Sequence, residues 1–164
     1  MSFLFLLAMA GSLALPPQQL EIANRVAGAG RPDCSAYHPD GTIWPCLPSF
    51  ALRPGGTING WDSGAQIFFT SAAAERLTPD EFSLLAGHEI AHWYLGHNGS
   101  TLETEIAADR LGAQLACQAG FNPVAGTSLF RYLRSGASHP QAAQRRAVVI
   151  GAGCKRGDAN VLGG

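Results

Sequence analysis

His88-Glu89-Ile90-Ala91-His92 is the stretch that decides how this chain is read. Two histidines four apart on a helix lie one turn apart on the same face, so both imidazoles can bind one metal ion. Glu89 is turned ~100° away from His88, which aims its carboxylate at a bound water and not at the metal. At a composition of 5 His in 164 residues, a chance match to this pattern, specified in advance, is roughly 0.5%. Around it Phe82, Leu84, Leu85, Ile90, Ala91, Trp93, Tyr94 and Leu95 make the segment apolar nearly all round. Such a helix is buried, and buried His and Glu side chains need partners.

Upstream, Thr78-Pro79-Asp80-Glu81 combines a capping threonine, a proline suited to the first helical position and a glutamate three residues after the cap. The helix it opens is expected to run to about His97 and to stop at Asn98-Gly99. Ser100-Thr101-Leu102-Glu103 then reads as a second capping box, opening a helix that ends at Gly120. Zinc held by an H-e-x-x-h helix needs a third protein ligand, with one position left for water. The metzincin arrangement fails, because Gly96 and His97 are out of register and the only methionines are Met1 and Met9. The downstream helix supplies the alternative. Glu105 and Asp109 share a face there, and Gly112 and Ala116 extend it with small side chains that permit close approach. The predicted ligands are therefore His88, His92 and Glu105, with Glu103 assigned to the cap. Asp109 is predicted to accept an N–H from one of the ligating imidazoles. The plainer alternative for Asp109 is a salt bridge with Arg110 or a later arginine.

The rest of the chain bounds the reading. Hydrophobic residues make up 46% and charged residues 14%, with a net charge of −1, which is a globular composition with a real core. No run of Lys or Arg suggests a nucleic-acid or anionic-membrane footprint. Phe3 to Leu15 is apolar, ends in small residues ahead of Pro16-Pro17, and is short of the ~20 residues that span a bilayer. It reads as a signal peptide over residues 1–14, or an uncleaved anchor, followed by one domain over 15–164 in an exported protein. Four cysteines without a C-x-x-C pair then suggest disulfides, with Cys34–Cys46 and Cys117–Cys154 the expected pairing. A short helix over Gln18–Ala27 precedes a Gly- and Pro-rich stretch. Strands are expected at 57–61 and 66–70, and further helices start at Asn122-Pro123 and at Ser138-His139-Pro140. The fold class is thus α+β, mostly helical, with a small sheet before the metal helix. Ile67, Phe68, Phe69 and Thr70 are the expected sheet edge for pairing with an extended polypeptide substrate. His38 and His97 receive no role, His97 reading as a cation at a helix C-terminus.

Taken in order, His88 to His92, Glu105 to Gly112, Ala119-Gly120-Phe121-Asn122-Pro123, and Ser138-His139-Pro140 with Arg145 or Arg146 behind it resemble the HtpX-like and CAAX-prenyl-protease-like zinc peptidases (peptidase family M forty-eight). The resemblance covers roughly residues 58–149. It implies a zincin-like gluzincin fold, Zn²⁺, endopeptidase activity, ligands at His88, His92 and Glu105, and Glu89 as the base. It also places His139 near the metal or the oxyanion. The chain lacks the membrane helices of many family members and looks more like the short exported ones, a setting that suits envelope or secreted protein quality control. The short gap from His92 to Glu105 also suits ImmA/IrrE-like regulatory metallopeptidases. A non-catalytic protease-like binding module is the remaining class, although such a module would often have lost Glu89 or a ligand.

Overall fold

The apolar, well-capped segment around His88 forms the central helix of the protein. The computed structural model describes residues 13–30, 47–133, 136 and 139–154. In order these form α1 (Pro17–Gly30), β1 (Ser49–Arg53), β2 (Gly60–Asp62), β3 (Gln66–Thr70), α2 (Ser71–Arg76), α3 (Pro79–Leu95), α4 (Leu102–Gln118), α5 (Pro123–Gly126), a 3-10 turn (Thr127–Arg131) and α6 (Ala142–Ala152). The expected α+β class holds, with a three-stranded sheet preceding the main helices. Cys34, Cys46, His38, Ser138 and residues 1–12 lie outside the described residues.

Helix α3 starts where its sequence says it should. The Thr78 hydroxyl accepts from the Glu81 amide and the Glu81 carboxylate accepts from the Thr78 amide, with Pro79 at the first helical position. Each bond satisfies an amide that has no partner inside the helix. Thr78→Ala is expected to cost about 1 kcal/mol, read as a lower urea midpoint with an unchanged slope. From Glu81 to Ala91 every residue of α3 is buried, enclosed by α1, α4, α5 and the sheet. Phe69 of β3 packs on Phe82 with ring centroids 4.9 Å apart.

Helices α3 and α4 meet backbone to backbone. A Cβ at Gly112 would lie 2.6 Å from the carbonyl carbon of Gly87 and from the amide nitrogen of His88. The small face predicted for α4 is thus what allows the contact. Cys117 and Cys154 form a disulfide that ties the chain after α6 to α4. Among the described residues no helix is long and apolar enough to cross a membrane.

Several expectations need correction. Helix α3 ends at Leu95, because Gly96 takes the left-handed conformation (φ 63°). The cap of α4 is Thr101, boxed with Thr104, not Ser100 with Glu103. The segment after Pro123 breaks into one short helix and a 3-10 turn. Helix α6 begins at Ala142 with no side-chain cap, so His139 precedes that helix by three residues and is not at its start. Strand β1 was missed, its five residues being hidden in the Pro- and Gly-rich stretch.

The largest correction concerns the sheet edge. The strand order is β1-β3-β2, with β3 parallel to β1 and antiparallel to β2. Residues Ile67, Phe68, Phe69 and Thr70 therefore lie in the central strand, and all four are buried. Phe68 is covered by Trp61, stacked at 5.3 Å, and by the Arg53 guanidinium at 4.8 Å. A strand paired on both sides has no backbone groups left for a substrate. Thr70 instead pins the approach to β2, its hydroxyl donating to the Thr57 carbonyl at 2.7 Å and accepting from the Asn59 amide at 3.2 Å.

Candidate metal centre

The helical period places His88 and His92 on one face of α3, and the glycine contact brings α4 close enough for Glu105 to join them. His88 Nε2 and His92 Nε2 are 3.1 Å apart. The Glu105 carboxylate oxygens lie 3.4 Å from His88 Nε2 and 3.5 Å from His92 Nε2. Among the described residues these three side chains form the one group able to hold a metal ion. Two atoms bound at ~2.0–2.1 Å to a tetrahedral ion stand about 3.3–3.4 Å apart, so the donor spacing fits such an ion.

His88 Nδ1 is 2.9 Å from Asp109 Oδ1. A carboxylate accepts only, so Nδ1 carries a hydrogen, and the bond turns Nε2 toward the cluster. Two imidazoles and a carboxylate converging in a buried site can hold a cation between them, either a proton or a metal ion. Burial by itself lowers the pKa of His88, but hydrogen bonds to Asp109 and Glu105 outweigh it and hold the ring at about 9. Burial raises that of Glu105, yet the bonds from His88 and His92 hold its carboxylate far below the usual range. A metal ion at this site has to displace that proton, because a ligating imidazole must be neutral.

Asp109 is held in turn by Arg145 from α6. Arg145 Nε donates to Asp109 Oδ2 at 2.8 Å and its Nη2 donates to Oδ1 at 2.6 Å. The two sequence alternatives for Asp109 are both realised, since it accepts from His88 and pairs with a later arginine. Burial raises its pKa, and the Arg145 and His88 bonds more than reverse that. The Arg145 guanidinium lies over Phe130, 4.6 Å from the ring centroid, which with Asp109 accounts for a buried cation.

Glu89 lines, together with His88, His92 and Glu105, a cleft of about 760 Å³. Burial is the main cause of its raised pKa, with His88 and His92 opposing. Gly60 of β2 faces it so closely that a Cβ there would lie 3.1 Å from Glu89 Cγ. Ile58, Asn59, Gly60 and Trp61 form one wall of the cleft, and Tyr132 and Leu133 line it as well. His139 reaches the cleft, half-exposed, with Nδ1 3.2 Å from Glu105.

Two residues that the sequence did not point to also join the site. His97 Nδ1 is 2.9 Å from His92 Nδ1, and burial lowers its pKa, against the expected cation. The Ser100 hydroxyl donates to Glu105 Oε1 at 2.7 Å. The signal available for them was Gly96, whose left-handed turn sends the chain back over the helix end.

Residues 58–105 match the model of Peptidase family M48. The matched segment runs from the approach to β2 through α3 to Glu105, and leaves Asp109, His139 and Arg145 outside it. No curated protein matches the chain.

Proposed function

We propose that this chain, an M48 family metallopeptidase, is a zinc-dependent endopeptidase that hydrolyses peptide bonds with Glu89 as the base. The observation that carries the reading is three donor side chains converging closely enough to share one ion, beside a buried carboxylate that opens onto a cleft. His88, His92 and Glu105 would hold the ion. Zinc, when bound, supplies Lewis acidity toward a carbonyl and toward water.

The chain's own residues supply the rest. Glu89 takes a proton from the attacking water and returns it to the leaving amine. Asp109, locked by Arg145, keeps the His88 proton on Nδ1 so that Nε2 faces the ion. His139, half-exposed, lines the cleft 3.2 Å from Glu105, where its imidazole can donate to the developing oxyanion. Substrate binds as an added strand on β2, which pairs only with β3 among the described residues and borders the cleft. The Cys117–Cys154 disulfide supports an exported protein, and cleavage of unfolded chains in that compartment fits a quality-control role.

The test is cleavage of unfolded casein by the full chain loaded with zinc. Cleavage that a zinc chelator abolishes and added zinc restores is the expected result. Cleavage unaffected by the chelator would sink the metal mechanism, and no cleavage by zinc-loaded protein would sink the peptidase reading.

A further inference from the structure

The connection between α3 and α4, residues 96–101, folds back onto the donor cluster. Gly96 enters the left-handed region at φ 63°, with its N–H directed at the His92 and Trp93 carbonyls, and the His97 amide donates to the His92 carbonyl at 3.1 Å. The turn lays the His97 ring against that of His92, centroids 5.0 Å apart and planes at 70°. His92 Nε2 faces His88 and Glu105, so as a metal donor it must offer a lone pair there. The single proton of the neutral ring is then on Nδ1, and it donates to His97 Nδ1 at 2.9 Å. The proton of His97 falls on its own Nε2.

A second contact comes three residues later. Thr101 and Thr104 take over the capping of α4, which releases the Ser100 hydroxyl from that task. It donates to Glu105 Oε1 at 2.7 Å. Each of the three donor groups thus has a hydrogen-bonding partner outside the cluster. His88 has Asp109, while His92 and Glu105 have partners from this one loop.

We propose that residues 96–101 position the metal centre, His97 orienting the ring and tautomer of His92 and Ser100 orienting the Glu105 carboxylate. The proposal rests on the metal-centre reading above. Both are positioning residues, since they act through a ligand. His97 is half-buried and Ser100 exposed, so their replacement leaves the core intact.

The experiment measures zinc affinity of the full chain by competition with a chromogenic chelator, for wild type, His97→Ala, His97→Asn, Ser100→Ala and Ser100→Thr. Each alanine variant is expected to bind zinc roughly 10–100-fold more weakly. Asparagine at 97 offers an acceptor near the same place and threonine at 100 keeps the hydroxyl, so both should recover most of the affinity. In nitrogen-15 histidine spectra of the zinc-loaded wild type, Nδ1 of His92 should carry a proton and Nδ1 of His97 should not. Alanine variants with wild-type affinity, conservative variants as weak as alanine, or the opposite protonation pattern would overturn the proposal. A wild type that binds no zinc overturns instead the metal-centre reading on which it rests.

Discussion

Glu89→Gln retains zinc and loses hydrolysis, with kcat falling by about 10²–10⁴-fold. The substitution keeps the shape of the side chain and removes its ability to take a proton. Glu89 is buried at 7% exposure and packed beneath Gly60 of β2, so a side chain of the same length fits without rearrangement. Burial favours the neutral form of the carboxyl, while the imidazoles of His88 and His92 pull the other way. Raising a carboxylate's pKa toward the working pH makes it a better proton acceptor. Because Glu89 is not one of the three converging donors, its loss leaves the ion's ligands in place. The check is steady-state cleavage of casein together with zinc content by elemental analysis. Parallel loss of zinc and turnover would show that Glu89 supports the site and does not act as the base.

Gly112→Ala destabilises the protein by about 2 kcal/mol or more and separates the donor groups. Alanine in a helix interior ordinarily stabilises by up to ~1 kcal/mol relative to glycine, so the sign itself is the test. Here the added methyl would meet the backbone of Gly87 and His88 at 2.6 Å. Backbone atoms within a buried helix cannot turn aside as a flexible side chain does, and overpacking of this kind costs typically ~1–3 kcal/mol. Relief requires α4 to move away from α3, carrying Glu105 and Asp109 away from His88. A lower urea midpoint with weakened zinc binding is expected. A variant more stable than wild type would refute the close approach of the two helices.

These two residues also mark how far the sequence can be read. Glu89 was legible because its relation to His88 and His92 is a matter of helical period alone, and that period is the same in any fold. Gly112 was legible as part of a small face, but not as the partner of Gly87. The Thr78 cap was readable because all its atoms lie within one turn. Ser100 was misread for a related reason. Ser100 and Thr101 can both cap a helix, and in the fold Thr101 takes the cap while Ser100 bonds Glu105. The match to Peptidase family M48 covers residues 58–105, the segment where local spacing carries most of the information.

By itself the sequence determined the paired histidines and neighbouring glutamate on one helix, the Thr78 start of that helix, the small face on the next one and the α+β class. All follow from interactions a few residues long, whose geometry the backbone repeats wherever it is helical. Only the tertiary structure decided that β3 is the central strand and β2 the open edge, that Arg145 and not Arg146 reaches Asp109 across 36 positions, and that His97 turns back onto His92. Strand order and such long-range pairs depend on which surfaces the helices bury against one another. A chain pattern with period two or 3.6 names the buried face of an element but not the neighbour that covers it.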